Sequence, residues 1–312
     1  MSVSDSQSDQ LVAFRVAREL LLDMALLAPR ELDPTDNLIL LGVSQANVRQ
    51  IVADPELQLR YAFSGTVPPD DLRKPISTAA ASRALGLPLE TVRRRAARLA
   101  ELGLLVATKR GLVVPAGRVD TADHIQAITE LERILRRAWS ELVADEFFRN
   151  DDPLPIAFGV SARPIRAMGR LAGDYYLRML APLRACCGDP LDAIIVLFLL
   201  RTADEPRSGE VGLPVSIGPG EIARAFAGSP ETVRRRLARL VRRGVCLRVG
   251  RGYAVPREVI DTVLLPRMAR AAELNLRRLF RQVAAILRES QQDPDGLRET
   301  RREFVEATAS GN

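Results

Sequence analysis

Apolar residues recur at intervals of three and four along two segments of this chain, and the positions between them are mostly arginine. In the first segment, the apolar positions are Val92, Ala96, Leu99 and Leu102. In the second, they are Val233, Leu237, Leu240 and Val241. Such spacing places the apolar side chains on one face of a helix. We predict two amphipathic helices, over residues 89–102 and 230–241, each burying one face.

The two predicted helices belong to an internal repeat. The hexapeptide Glu-Thr-Val-Arg-Arg-Arg at residues 90–95 recurs at residues 231–236, which is 141 positions later. The match continues without a gap over residues 90–115 and 231–256. A repeat of this length indicates a duplicated structural unit.

The same local signals precede the predicted helix in both copies. A short extended stretch, at residues 74–77 or 213–216, leads into a short helical pattern at residues 78–85 or 221–226. A tight turn follows at residues 86–88 or 227–229. In the second copy, Ser229 before Pro230 is a favourable start for the long helix. We therefore predict helix, turn and helix in each copy.

A small hairpin is predicted behind each helix. The helices stop near Gly103 and Gly244, because glycine tolerates the left-handed conformation found at helix ends. Apolar strands then surround glycine-containing tips at residues 109–111 and 250–252, where the turn requires a positive φ.

The order of helix, turn, helix and hairpin resembles the winged helix-turn-helix. Residues 75–115 and 214–256 resemble the DNA-binding modules of bacterial transcriptional regulators of the Crp–Fnr, MarR and GntR kinds. The segment Gly-Leu-Pro-Leu-Glu-Thr-Val at residues 86–92 is similar to the Crp–Fnr turn and the start of its recognition helix. The resemblance implies a mainly α fold of two tandem winged helix-turn-helix units, with small β-hairpins and flanking long helices.

The same resemblance assigns roles in DNA binding. Glutamates at the helix start, Glu90 and Glu231, accept from the cytosine amino group, while Arg94 and Arg235 donate to guanine in bidentate fashion. The residues expected at phosphates are Thr91, Arg93, Arg95, Arg98, Thr232, Arg234, Arg236 and Arg239. At the hairpin tips, Arg110 and Arg251 reach the backbone or the minor groove. Leu89 and Pro230 begin the recognition helices, where the Crp–Fnr pattern usually has a polar residue.

The signals outside the repeat predict the domain organisation. Asp-Pro sequences at residues 33–36 and 189–192 each open an apolar helix, and a long amphipathic helix follows each hairpin. A second helix-turn-helix-like segment at residues 42–48 is interpreted as plain helix. We predict a disordered N-terminus over residues 1–10, a first unit over 11–149 with its winged helix at about 74–115, a linker over 150–162, and a second unit over 163–312 with its winged helix at about 214–256.

Charge favours a polyanionic partner. The 312-residue chain has a net charge of +6 and a pI near 9.8. Residues 89–110 contain six basic residues against two acids, and residues 230–251 contain eight against one. No apolar run is long enough to cross a bilayer and no secretory segment is visible, so we expect a cytoplasmic protein without a membrane partner.

Candidates for other chemistry are few. His124 is the sole histidine, so we expect no metal site, and no pattern of catalytic or cofactor-binding residues indicates an enzyme. Buried core positions are predicted for Cys186, Cys187 and Cys246. The aromatic residues Trp139, Tyr175 and Tyr176 are also expected in the core, with a ligand pocket between helices as the alternative.

The predicted function is sequence-specific binding of double-stranded DNA by a transcriptional regulator that acts as a covalent pseudo-dimer. A homodimer of such chains would present four modules. Two alternatives remain open from the sequence. One is an architectural or replication-associated DNA binder, and the other is a protein-interaction scaffold built from winged helices. The sequence specifies neither an operator nor a small-molecule effector.

Overall fold

The computed structural model describes residues 3–148, 163–204, 216–226 and 228–292. In these ranges the chain is mainly helical, with two small antiparallel hairpins. The predicted linker at residues 150–162 lies outside the described residues.

The first half contains seven α-helices and one hairpin within its described residues: α1 (Val3–Leu26), α2 (Pro34–Asn47), α3 (Arg49–Ala53), α4 (Pro55–Arg60), α5 (Thr78–Leu85), α6 (Leu89–Glu101), β1 (Val106–Thr108), β2 (Gly111–Val113) and α7 (Ala122–Ala144). Short 3₁₀ turns span Asp70–Leu72 and Ala116–Arg118. The segment at residues 42–48 lies almost wholly within α2, so its interpretation as plain helix is confirmed.

The described part of the second half repeats this order with fewer elements between its helices: α8 (Ile165–Cys187), α9 (Pro190–Asp204), α10 (Pro219–Ala225), α11 (Pro230–Arg242), β3 (Leu247–Val249), β4 (Gly252–Ala254), α12 (Arg257–Val259) and α13 (Leu265–Gln292). A π-helical turn, Ile260–Leu264, joins α12 to α13. The Asp-Pro sequences open α2 and α9, as predicted. Asp33 and Asp189 each accept a hydrogen bond from the amide two residues later, at 2.8 and 2.9 Å.

The prediction of a disordered N-terminus over residues 1–10 is wrong for residues 3–10, because α1 begins at Val3. Local sequence here is polar and shows little apolar periodicity. Helix α1 packs against α13, where Asp9 forms an ion pair with Arg277 at 2.9 Å. Both of these side chains are largely buried, so solvent screens the pair only partly.

Each half contains what we call a helix–hairpin unit, at residues 76–114 in the first half and 217–255 in the second. A β-bridge ties the chain before the first short helix to the returning strand of the hairpin. The Ile76 amide donates to the Leu112 carbonyl at 3.1 Å, and the reverse bond is 2.8 Å. In the second unit, Ile217 and Tyr253 make the same exchange at 3.0 and 2.9 Å. Both predicted hairpins are therefore present.

Four long helices pack in a closed ring. Helix α1 contacts α7 and α13, and α8 contacts the same two helices. The first long helix of each half thus packs against the last long helix of the other half. The shorter helices follow the same rule, since α1 contacts α9 and α8 contacts α2. Buried apolar residues of both halves form one continuous cluster, which includes the three cysteines, as predicted, and Tyr175 and Tyr176.

Candidate nucleic-acid interface

Helices α6 and α11 each bury one apolar face and expose a polar one. The buried residues are Val92, Ala96 and Leu99 in α6, and Val233, Leu237 and Leu240 in α11. The predicted apolar face of each helix is confirmed at these positions but not at its C-terminal end. Leu102 is 49% exposed because it lies one residue past the last turn of α6. Val241 is 36% exposed because it follows Leu240 directly and points about 100° away.

One buried and one half-exposed carboxylate, those of Asp36 and Asp33, hold α6 in place. Arg95 of α6 lies 3.0 Å from Asp36 and 3.4 Å from Asp33, which are both at the start of α2. Arg98, one turn further along α6, lies 3.6 Å from Asp36. Asp36 is fully buried, and this burial raises its pKa although the charge of Arg95 acts in the opposite direction. We call these four residues the first Asp–Arg cluster.

The second half builds the same cluster from the corresponding residues. Arg236 of α11 lies 2.8 Å from both Asp189 and Asp192, at the start of α9. Arg239 lies 2.7 Å from Asp192, and the hydrogen bond to this carboxylate raises the pKa of Arg239. Asp192 is fully buried, like Asp36. We call this set the second Asp–Arg cluster, and it extends the internal repeat to residues outside the 26-residue sequence match.

These clusters change the interpretation of four arginines that we expected at phosphates. The side chains of Arg95 and Arg236 are only 21% and 20% exposed, and both form ion pairs with aspartates. The structure therefore assigns these two to holding the helix against α2 or α9. Arg98 and Arg239 keep 56% and 43% of their side chains exposed, so their outer surfaces stay accessible beside the ion pairs.

The exposed face of α6 carries most of the other predicted residues of the first unit. Leu89, Glu90, Arg93 and Arg94 are exposed, and Thr91 is partly buried. Arg93 donates two hydrogen bonds of 2.9 Å to Glu90, one to each carboxylate oxygen. This pairing lowers the pKa of Glu90. No carboxylate among the described residues forms an ion pair with Arg94, so its guanidinium is free to meet a partner.

In α11 the equivalent glutamate has two arginine partners. Glu231 lies 2.5 Å from Arg234 and 3.2 Å from Arg235, and all three side chains are exposed together with that of Thr232. To contact a base, Arg235 has to exchange a solvent-exposed pair with Glu231. Such pairs contribute little free energy, about 0–1 kcal/mol, so breaking this pair costs little.

The hairpin tips also present cations to solvent. Arg110 and Arg251 are exposed at the two tips, and Lys109 lies beside Arg110. In the first tip, the Thr108 hydroxyl accepts from the Arg110 amide at 3.1 Å and donates to the Gly111 carbonyl at 2.9 Å, which fixes the turn. Exposed Arg248 of β3 is a further cation near the second tip. Its position on the outward-facing side of a hairpin strand is the signal that would have added it to the predicted set.

None of the described helices combines the length and the apolarity needed to cross a membrane. Within the same residues, no group of three or more His, Cys, Asp or Glu side chains is arranged to hold a metal ion. Burial and the charges of Arg166 and Arg73 lower the pKa of His124 to about 4.

Comparison with protein-family models, with curated proteins and with solved structures finds no match to this chain.

Proposed function

We propose that this protein is a sequence-specific DNA-binding transcriptional regulator in which two winged helix-turn-helix units, fused in one chain, act as a covalent pseudo-dimer. The observation that carries the proposal is the duplication of a complete arrangement. Both units have a helix, a turn, a second helix, a bridged hairpin and an Asp–Arg cluster that sets the position of the second helix. Each unit also presents an arginine-rich face to solvent.

The packing between the halves supports a pseudo-dimer. In a symmetric dimer, the same patch of each subunit meets its copy, so that each contact occurs twice with the roles exchanged. The ring of long helices follows this rule, because the first long helix of each half contacts the last long helix of the other. One chain would thus supply the two DNA readers that ordinarily come from two subunits.

The exposed residues suit the chemistry of the major groove. In this proposal Arg94 and Arg235 donate to guanine, and each good bidentate pair gives about 1–3 kcal/mol of discrimination. The glutamates beside them, Glu90 and Glu231, suit a cytosine amino group. Leu89 is 51% exposed at the first turn of α6 and suits the apolar methyl group of thymine.

The remaining exposed groups suit the DNA backbone. These are Arg93, Thr91, Arg98 and Arg110 in the first unit, and Arg234, Thr232, Arg239 and Arg251 in the second. Contacts of this kind position the protein without reading sequence. The more basic second unit should contribute more of the salt-dependent affinity.

The proposal is tested by selecting fragmented genomic DNA from the source organism with the purified full-length protein and sequencing the retained fragments. We expect enrichment of a site with two similar half-motifs. Retention that is broad, salt-sensitive and without a motif would instead identify an architectural DNA binder. Absence of retention at low salt would favour the protein-interaction scaffold.

Arginine variants then test the assigned bases. Arg94→Ala and Arg235→Ala should each weaken binding to the selected site by about 5- to 100-fold, and should weaken binding to random DNA much less. Arg133→Ala is the matched control, because Arg133 is also exposed on a helix and pairs with a glutamate three residues before it. Equal losses on both kinds of DNA would contradict the base-reading role.

A further inference from the structure

A large cavity lies between the C-terminal end of α1, helix α2, helix α7 and helix α8. Its volume is about 640 Å³, within the range of about 300–1,000 Å³ that is usual for small-molecule sites. Much of its wall is apolar, and leucine, methionine and isoleucine side chains such as Met24, Leu38, Leu41 and Ile128 line it.

Three buried arginines line this cavity. Arg73, from the chain before α5, is 4% exposed, and Arg166 and Arg170, one turn apart on α8, are 5% and 8% exposed. Guanidinium groups are rarely buried unless each has a carboxylate partner. An arginine here whose donors are all bound by protein groups has a structural role, whereas one with unbound donors can bind a ligand.

All three guanidinium nitrogens of Arg166 donate hydrogen bonds to protein groups. It donates to the carbonyls of Ser64 and Val119 at 3.0 and 2.6 Å, and its second terminal nitrogen donates to Asp120 at 2.8 Å. These bonds join α8 to the segments before α5 and before α7. Asp120 itself is 58% exposed, so its charge is partly screened by solvent.

Arg170 and Arg73 each have a buried nitrogen atom without a hydrogen-bond partner. Arg170 donates to the carbonyls of Tyr61 and Gln58 at 2.9 and 3.1 Å, and none of the described carboxylates forms an ion pair with it. Its Nε has no hydrogen-bond partner. Arg73 lies 3.4 Å from the exposed carboxylate of Asp70, and its Nη1 is buried without a partner.

Three arginine side chains share this wall of the cavity. Burial lowers the pKa of Arg170 to about 9, and the positive charges of Arg166 and Arg73 act in the same direction. Neutral His124 lines the same cavity. The other charged lining residues are exposed at the mouth and balance one another, with Arg30 and Arg118 against Glu31 and Asp123.

We propose that this cavity binds a small amphipathic monoanion, a carboxylate with an apolar body. Its carboxylate accepts hydrogen bonds from Arg73 and Arg170, and its body fills the apolar part of the cavity. An anion there satisfies two buried donors and supplies the missing negative charge, which a neutral or cationic ligand cannot do. The site goes beyond the proposed function and does not depend on DNA binding.

Calorimetric titration of the full-length protein with decanoate, 1-decanol and decylamine, all below their micellar concentrations, tests this site. These probes share one apolar chain and differ in their charged group. We expect one decanoate per chain, bound at least about tenfold more tightly than 1-decanol, with decylamine the weakest. Equal binding of decanoate and 1-decanol, stronger binding of decylamine, or no binding of any probe would overturn the proposal.

Variants locate the binding. Arg73→Met and Arg170→Met should each lower decanoate affinity by about tenfold and leave 1-decanol affinity unchanged. Ala127→Phe fills the cavity from α7 and should abolish binding of both probes. The control is Arg133→Met, on the solvent-facing side of α7. If Arg170→Met fails to fold, the decanoate affinity of Arg73→Met is the test of the carboxylate contact. Decanoate binding that survives both Arg73→Met and Ala127→Phe would place the ligand elsewhere and overturn the assignment.

Discussion

At the scale of single residues, two buried aspartates set the positions of α6 and α11. Asp36 and Asp192 are fully buried, and each lies within ion-pair distance of two arginines of the neighbouring helix. Removal of one partner from a buried ion pair costs more than the pair contributes, because the remaining charges lose their compensation. We therefore expect both aspartates, which lie in α2 and α9, to be sensitive to substitution.

We expect Asp192→Ala to lower the free energy of unfolding by about 2–4 kcal/mol, because Arg236 and Arg239 lose their shared carboxylate. Urea denaturation measures the change. Asp174→Ala is the control, since Asp174 pairs with Arg178 on the surface of α8 and should cost less than about 1 kcal/mol. Similar losses in the two variants would contradict the structural role of Asp192.

His124 makes stability depend on pH. Its pKa is lowered from 6.5 to about 4 by burial and by the charges of Arg166 and Arg73. The unfolded imidazole takes up a proton below about pH 6.5, whereas the folded one resists protonation down to about pH 4. Stability is therefore lost as the pH falls through this window.

We expect the native protein to lose about 1–2 kcal/mol more stability than His124→Gln between pH 7 and pH 5, because glutamine does not titrate. Urea denaturation of both proteins at the two pH values provides the comparison. If both lose stability equally, other groups account for the acid sensitivity.

At the scale of the elements, the turn between α5 and α6 depends on one residue. Gly86 has a φ of +66°, and a Cβ atom built there would lie 1.5 Å from Nη1 of Arg184 on α8. The left-handed backbone favours glycine at this position, and a Cβ atom there would also force the flexible side chain of Arg184 to move. The turn is thus fixed mainly by its local backbone conformation.

We expect Gly86→Ala to lower the free energy of unfolding by at least about 1–2 kcal/mol, because alanine is strained at a positive φ and displaces Arg184. Gly117→Ala is the matched control, since nothing lies within 4 Å of a Cβ there. Thermal unfolding of the two variants measures the difference. A neutral Gly86→Ala would mean that the turn relaxes without cost.

An insertion distinguishes the first half from the second. Asp36 and Glu90 are 54 positions apart, whereas Asp192 and Glu231 are 39 apart. The longer connection forms α3, α4 and a 3₁₀ turn, with a small apolar cluster of its own around Ile51. It also supplies Arg73 and the carbonyls that accept from Arg170. The proposed anion site is therefore built from the segment in which the two halves differ.

At the scale of the whole molecule, the ring of long helices and the shared apolar cluster join the two helix–hairpin units in one body. If both units bind DNA as proposed, the distance between half-sites is set by the protein. Half-sites read by paired units are spaced by one helical turn or a multiple, so that both face the same side of the duplex.

We expect a single chain to occupy both half-sites of the selected DNA, and the insertion of about five base pairs between them to reduce affinity sharply, because half a turn moves one site to the opposite face. Fluorescence anisotropy with spacer variants measures the affinity, and sedimentation of the complex gives the stoichiometry. Indifference to the spacer, or two chains on every site, would contradict the pseudo-dimer.

The sequence by itself determined the local elements. Periodicity places Val92, Leu99, Val233 and Leu240 on buried faces, the repeat predicts both hairpins, and the Asp-Pro sequences predict the starts of α2 and α9. These features depend on residues within a few positions of one another, and helix periodicity and capping act at that range.

Only the tertiary structure decided which charges meet. Helix periodicity puts Arg95 and Arg236 on the face of the buried Val92 and Val233, but their partners Asp36 and Asp192 are 59 and 44 positions away, beyond the range of any local pattern. Asp9 of α1 and Arg277 of α13 form an ion pair across 268 positions of the chain in the same way. The cavity with its buried arginines forms only when the insertion of the first half packs against α8 of the second. Burial and pairing of charges depend on the whole packed chain, and for that reason local sequence does not reveal them.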